Sequence, residues 1–411
     1  MDRVLGIFKI PPQIIFTIVP LGLIIMGDSI LYVILPSNYE FFKINSFLGV
    51  DSGFWIGFIL SINRFVRIFS NVFSVKIIKI LGLRNSMFVA TFAGSLSTLG
   101  YGLFKGVLLI VLMRIIWGFS YSIFRLSYYL KVYSYEITNY GRHIGFCLSI
   151  QRLGSFIAVT LGVYISVKYG YFNVLLLLSL LLIPALFIVY NIKEININSI
   201  TKPSLSWNLL YIDQIKDIRK NILIISFFKF SSSFTSNGLA IATITPFLIS
   251  INKNTFSYES IIILAGIVVG FRWLADIMFG LIFGTLSDKF GRKSNIIISA
   301  ITMLISIIIA VSNISFYVSV FCIILMFFIS VSLETSLDAL IGETAPEKEK
   351  SSIISRYSTW QDLGAAFGPI LGFVIGSYFG ISYGYIFSII LIFISLYLYL
   401  KVFKITTSLN N

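Results

Sequence analysis

The sequence predicts an all-α integral membrane protein of twelve transmembrane helices, arranged as two pseudo-symmetric six-helix bundles. Three observations carry that expectation. The 411 residues are 57% hydrophobic and only 12% charged, with a mean hydropathy of +0.94. Such a chain would expose apolar surface on every side in water. Apolar runs of span length recur twelve times, and the two halves of the chain echo each other at an offset of 209 or 210 positions.

A span needs about 20 apolar residues. The first run, 13–36, reaches that length, and no A-x-A-like cleavage site precedes Asp28, so it is expected to stay as helix 1. Runs at 53–75, 85–104, 107–131, 144–167 and 172–192 complete the first half. The longest polar stretch, NIKEININSITKPSLSWNLLYIDQIKDIRK (191–220), follows as a linker. Within it Leu209, Leu210, Ile212, Ile215 and Ile218 fall near helical spacing, which suggests a short amphipathic helix on the membrane surface; a solvated coil is the competing reading. The second half runs 221–249, 260–283, 295–312, 315–338, 353–377 and 382–404. The expected division is a bundle at 1–192, a cytoplasmic linker at 193–220 and a bundle at 221–411.

Charge placement sets the topology. Of the 31 Lys and Arg, twenty fall in the terminal tails, the even-to-odd connections or at the helix ends beside them, four (Lys43, Lys105, Lys168, Lys253) fall on the other side, and seven lie within spans. The majority side is the cytoplasm by the positive-inside rule, so both termini and the linker are expected there, in a multi-pass protein of the cell membrane. The net charge of +14 is spread in short clusters between apolar runs. That pattern suits anionic lipid headgroups and argues against nucleic acid. Cys147 and Cys322 sit far apart in apolar runs and read as small buried hydrophobes. With one histidine, no clustered Cys/His site and no phosphate-cradling GxxxxGK[ST] loop, the sequence indicates neither an enzyme nor a cofactor.

The offset pairs Pro36 with Pro246, Gly82 with Gly291, Arg125 with Glu334, Gln151 with Gln361, Arg152 with Asp362, Gly154 with Gly364 and Gly162 with Gly372. A duplicated six-helix unit explains them together, and duplicated units build transporters whose site lies near the midplane. The string G284-T-L-S-D288-K-F-G291-R292-K293 resembles the loop signature G-x-L-a-D-[RK]-x-G-[RK]-[RK] of the major facilitator superfamily. Arg114-I-I-W-Gly118 looks like that family's R-x-x-x-G signature. Gly364-A-A-F-Gly368-Pro369-I-L-Gly372 looks like the helix-packing G-x-x-x-G-P-x-x-G pattern of its drug antiporters, here in helix 11 instead of helix 5. Helix 5 carries Gly154-S-F-I-Ala158-V-T-L-Gly162, without the proline. The connection between helices 2 and 3 also departs from the family, since Lys79 stands where the signature has its acid.

The resemblance implies a fold, a gate and an activity. Asp288 becomes a carboxylate that caps a helix amino terminus, where exposed N–H groups and the macrodipole favour negative charge. By resemblance that terminus belongs to helix 5 near Ile144 and the contact closes a cytoplasmic gate. Gly284 would allow close packing, Gly291 a sharp turn, and Arg292 with Lys293 an anchor to acidic groups or lipid. An ordinary positive-inside loop is the plainer reading.

Ionisable groups inside spans cost about 2.5 to 3.5 kcal/mol each on insertion scales and persist when paired or useful. Asp28 in helix 1 and Arg114 in helix 4 lie at similar depth, so Asp28 is the candidate proton carrier and Arg114 the charge that competes for it; a structural ion pair is the alternative. Arg272 and Asp276 stand at i and i+4 on helix 8 and read as a structural pair. Arg125 and Glu334, matched by the repeat, read as braces for cytoplasmic loops. Arg64, Lys229, Asn237, Gln151 and Gln361 are substrate-cavity candidates, each with a snorkelling or helix-to-helix alternative. His143 is expected to be solvated.

Together these features predict a secondary transporter working by alternating access as a monomer among membrane lipids, most simply a proton-coupled antiporter for efflux of small lipophilic or amphipathic compounds. Two alternatives stay open: a carrier of small organic anions, suggested by seven cations against five acids in the spans, and a non-transporting membrane sensor. Cysteines placed singly in 193–220 are expected to react with a membrane-impermeant thiol reagent only after the membrane is opened; labelling from outside in intact cells would overturn the assigned topology.

Overall fold

A computed structural model describes residues 10–135, 140–195, 216–253, 255–346 and 350–408. Twelve helices follow one another among them. The first six are α1 (Pro12–Ser37), α2 (52–81), α3 (83–103), α4 (Val107–Tyr133), α5 (140–169) and α6 (Tyr171–Tyr190). The second six are α7 (216–251), α8 (Tyr258–Phe290), α9 (Arg292–Val311), α10 (Phe316–Thr344), α11 (Lys350–Phe379) and α12 (Ile381–Ser408). Eleven helical stretches among the described residues are long and apolar enough to cross a membrane. The expected all-α membrane fold is the observed one. Leu209, Leu210, Ile212 and Ile215 of the expected surface helix lie outside the described residues, while Ile218 belongs to α7.

Among the described residues glycine shortens four connections to a single residue, Gly170 (φ 92°) and Gly380 (φ 102°) being two of them. Gly82 (φ 81°) separates α2 from α3, and Gly291 (φ 84°) separates α8 from α9. Left-handed backbone of this kind carries little steric cost only without a Cβ. Because one residue suffices for the turn, residues 284–290 continue α8 and do not form the loop the sequence suggested.

The chain divides into two compact units, Met1–Phe47 with Phe65–Leu205 and Leu48–Arg64 with Ser206–Asn411. In the first, Ile14, Ile18, Leu21, Ile24 and Ile25 of α1 share a buried core with Trp117, Phe124 and Tyr128 of α4 and Cys147 of α5. Lipid is as apolar as leucine, so helices in a membrane associate through close approach at small residues and interhelical hydrogen bonds. Both occur between α1 and α5. A Cβ on Gly154 would strike the carbonyl oxygen of Gly22, and Ser29 Oγ donates to Ser155 Oγ at 2.8 Å.

The exit from α6 is held by three other helices of the same unit. Lys193 N–H donates to Gln13 Oε1 at 2.7 Å, Gln13 Nε2 donates to the Asn191 carbonyl at 3.1 Å, and Lys131 Nζ donates to the Lys193 carbonyl at 2.7 Å. Glu194 caps the start of α3, accepting from Leu83 N–H at 2.7 Å and Arg84 N–H at 3.0 Å. These are orphan donors of a helix amino terminus, and a carboxylate is their best partner. A side chain on Gly82 would meet that carboxylate. The acid absent at Lys79 thus has a counterpart from the far end of the unit.

In the second unit the repeat of Gly154 does the same work. A Cβ on Gly364 of α11 would strike the carbonyl oxygen of Phe230, one on Gly368 the backbone of Leu239 and Gly238, and one on Gly372 the Leu239 side chain. The expected packing motif Gly364, Gly368, Pro369, Gly372 therefore lies along α7. At this crossing α7 widens into a π-turn over Phe234–Ala240. Residues 48–64 group with this unit, although the sequence division placed them in the first bundle. Their helix lies close to α11 because Gly57 has no side chain to hold it off Pro369 and Ile370.

Gly364→Ala is expected to lower stability by about 1–3 kcal/mol through overpacking. Gly145→Ala, where a Cβ meets nothing within 4 Å, should raise it by about 0.5–1 kcal/mol. Thermal unfolding in detergent compares the two.

Candidate functional site

The two units each hold a buried ionic assembly. In the first, Asp28 comes from the middle of α1 and Arg114 from the second turn of α4. Arg114 Nη1 donates to Asp28 Oδ1. Asp28 is 8% exposed and Arg114 fully buried. The guanidinium also lies 5.6 Å from the centre of the Tyr32 ring and is hydrogen-bonded to Tyr101. Tyr101 in turn accepts from Ser97 Oγ at 2.9 Å. The expected meeting of Asp28 and Arg114 is present, with aromatic and hydroxyl groups filling out the guanidinium's surroundings.

In the second unit a chain of hydrogen bonds crosses four helices. Tyr357 Oη of α11 donates to Asp338 Oδ1 of α10 at 2.5 Å, and Lys229 Nζ of α7 donates to the same oxygen at 2.7 Å. Lys229 also reaches Glu334 Oε2, one turn back along α10, at 3.4 Å. Glu334 Oε1 accepts from Asn237 Nδ2 at 2.9 Å and Ser236 Oγ at 3.0 Å, with Ser232 Oγ at 3.5 Å. Asn237 Oδ1 accepts from Arg272 Nη2 of α8 at 2.9 Å, and Arg272 Nη1 donates to Asp276. Lys229, Arg272 and Glu334 are buried, so their partners carry much of their solvation, whereas the Asp338 side chain is exposed.

Local sequence explains the assembly. Glu334 and Asp338 at i and i+4 share one face of α10, as do Arg272 and Asp276 on α8. The serines around Lys229 bring hydroxyls to the same face of α7, and the π-turn, a form common at functional sites, carries Ser236 and Asn237. Arg64 donates to the carbonyls of Ala365 and Asn237, the latter at 2.8 Å.

The other expected residues fall as follows. Gln151 Nε2 donates to Tyr121 Oη at 2.9 Å, and Arg67 lies 4.9 Å from the centre of that ring. The carbonyl of Gln361 accepts from Ser233 Oγ at 2.9 Å. Arg125 is half-buried on α4. Glu334, read from sequence as a loop brace, sits about three turns before the end of α10 at Thr344, inside the network. Arg292 Nε pairs with Glu343 at 2.6 Å on an exposed face, and Lys293 is half-buried beside it in the chain. Gly284 and Asp288 lie in the last two turns of α8, and the Asp288 side chain, with its expected gate contact, falls outside what the structure describes. His143 is buried in the first turn of α5 with Tyr135 edge-on at 5.9 Å, because the helix begins three residues earlier than a solvated loop would allow.

Sequence reasoning gave no role to Asp338, Tyr357, Ser236, Tyr101 or Glu194. The i, i+4 spacing from Glu334 was a usable signal for Asp338. Tyr357 and Tyr101 are two of 22 tyrosines and carried none. Glu194 read as linker. Among the described residues no group of three His, Cys, Asp or Glu side chains is placed to hold a metal ion.

Chemically, the arrangement can gain or lose a proton at a paired carboxylate. Protonating Asp28 removes the charge that holds Arg114, and protonating Asp338 does the same for Lys229. Either event reorganises contacts between helices of one unit.

Comparisons with known proteins place this geometry. Residues 230–409 match the family model of the Major Facilitator Superfamily. No curated protein matches by sequence. Among solved structures the chain is similar to a bacterial homologue of the human lysosomal transporter Spinster in an inward-facing, unoccupied conformation, with a TM-score of 0.73 at 11% identity over 95% of this chain and 97% of that one. It is similar to a D-xylose–proton symporter, with a TM-score of 0.72 at 14% identity over 94% and 97%. The nucleoside transporter NupG gives a TM-score of 0.70 at 15% identity over 96% and 99%. At such identities the likeness concerns the fold. The chain has the fold of the major facilitator transporters.

Breaking a buried pair by removing one partner costs about 3–5 kcal/mol, whereas removing both is far cheaper. Arg114→Leu is therefore expected to destabilise strongly and Asp28→Leu with Arg114→Leu to recover most of the loss. A double-mutant cycle on thermal unfolding measures the coupling.

Proposed function

We propose that this chain is a secondary transporter of the major facilitator type, working by alternating access and coupled to protons, and that it exports small lipophilic or amphipathic compounds. It is a carrier and not an enzyme, acting as a monomer in the cell membrane with both termini and the linker in the cytoplasm. The observation that supports the reading most is the Asp28–Arg114 pair, buried within the first unit. A carboxylate kept at that depth costs insertion energy that a purely apolar helix would avoid, and its partner is a cation that competes with a proton.

Asp28 would hold the proton and Arg114 would hold Asp28 when the proton leaves. While Asp28 is charged, the two helices α1 and α4 are tied by ion pairing. Once it is protonated, the attraction falls to an ordinary hydrogen bond and Arg114 turns toward Tyr101 and Tyr32, which already surround it. The helices then gain freedom to repack, and the proton is carried without a bond to substrate. The drug-antiporter-like glycine motif on α11 and the aromatic content support an apolar cargo.

Carriage of a small organic anion is the second reading, and its main support was the surplus of cations in the spans. Ion pairing weakens that support, since Arg114, Lys229 and Arg272 are each engaged by carboxylates. A non-transporting sensor would show neither uptake nor exchange.

Purified protein in liposomes, given a mixed compound library with and without a pH gradient, tests the reading. Asp28→Asn is expected to abolish accumulation driven by the gradient while leaving exchange at least partly intact, because the amide still hydrogen-bonds Arg114 but carries no exchangeable charge. Arg114→Ala should impair both. Normal accumulation by Asp28→Asn would move the proton to another group.

A further inference from the structure

The second unit shares one lysine between two acids, and we infer that this is a protonation switch: Lys229 passes between Asp338 and Glu334 as Asp338 loses or gains a proton. The acids lie one turn apart on the same face of α10. Lys229 Nζ is 2.7 Å from Asp338 Oδ1 and 3.4 Å from Glu334 Oε2, so the tight partner is Asp338 and the waiting partner Glu334. Accessibility orders the events. The Asp338 side chain is 52% exposed, against 1% for Lys229 and 10% for Glu334. Of the three groups Asp338 is the least enclosed by protein.

Every element around the pair contributes to the balance. From α11, Tyr357 Oη donates to Asp338; from α7, Ser232, Ser236 and Asn237 donate to Glu334. From α8, Arg272 lies 3.9 Å from Glu334 and is paired with Asp276. From α9, Asn295 and Ser299 hydrogen-bond Ser332 and Ser336 on α10, and Ser336 Oγ also donates to Ser287 of α8. Arg64 holds the Asn237 carbonyl. Glu334 is thus fixed by side chains of α7, whereas Asp338 is fixed by Lys229 and Tyr357 alone among the hydrogen bonds described. When a water-borne proton binds Asp338, the carboxylate becomes a neutral acid and Lys229 keeps its charge. Its attraction then lies wholly with Glu334, one turn deeper in α10. The two acids stand about 6 Å apart along the helix axis, and one cation that changes its tight partner between them is the kind of two-state element on which helix shifts are built.

The switch rests on the network alone and does not depend on Asp28 as the transport proton. Difference infrared spectra of the full-length protein in liposomes, recorded between neutral and acid pH, test it without a substrate. The wild type is expected to gain, on acidification, a protonated-carboxyl C=O component that Asp338→Asn removes and Asp28→Asn retains. Tyr357→Phe takes a donor from the charged form and should raise the midpoint by about one pH unit. Glu334→Gln takes away the alternative partner and should lower the midpoint. A wild type without the band, a band unchanged in Asp338→Asn, or a Tyr357→Phe midpoint that stays or falls would overturn the switch. Loss of gradient-driven transport with the band intact would instead remove the transporter reading and leave the switch standing.

Discussion

A charge in hydrocarbon must have a partner at hand, and the described interior of this chain is arranged around that requirement. Unpaired, an ionised side chain costs about 2.5–3.5 kcal/mol by insertion measurements and more by simulation. Arg114 therefore meets Asp28, Lys229 meets Asp338 and Glu334, and Arg272 meets Asp276, each within its own unit. Long polar reach alone does not satisfy these groups. Serine, asparagine and tyrosine side chains complete their hydrogen bonds, which is why the hydroxyls of α7 gather where the charges are.

Pairing across helices demands that helices come close, and glycine supplies the approach. Gly154 against Gly22 and Gly364 against Phe230 occupy equivalent places in the two units, 210 positions apart, and set the spacing at which α1 and α7 cross α5 and α11. The π-turn of α7 falls at the second crossing and carries Asn237, whose side chain links Glu334 to Arg272 and whose carbonyl holds Arg64. Packing and electrostatics are one problem here: a bulkier residue at Gly364 would push the acid network apart.

Much of the fold was legible because the bilayer imposes simple rules. Span length and polar breaks gave the helices, and the offset pairs gave the duplication, with Gly82 and Gly291 proving to be matched positive-φ turns. Asp28 with Arg114 was legible because equal depth on two helices is countable from sequence. Depth says nothing of rotation about a helix axis, however, and so Lys229 was open between a substrate cavity and snorkelling to the headgroups, and its pairing with Asp338 and Glu334 was not read. Glu334 was misjudged for the same reason: counting from the helix end placed it near the membrane surface, while α10 runs on to Thr344. Glu194 could not be read at all, since its role as the cap of α3 comes from a contact more than a hundred residues away in the chain.

An experimental structure of the protein in a lipid nanodisc at neutral pH tests the pairing requirement most directly. The Asp28 carboxylate should lie within hydrogen-bonding reach of the Arg114 guanidinium, and the Lys229 amine should sit between Asp338 and Glu334. Either cation turned toward lipid or bulk water, with its carboxylate beyond about 4 Å, would contradict it.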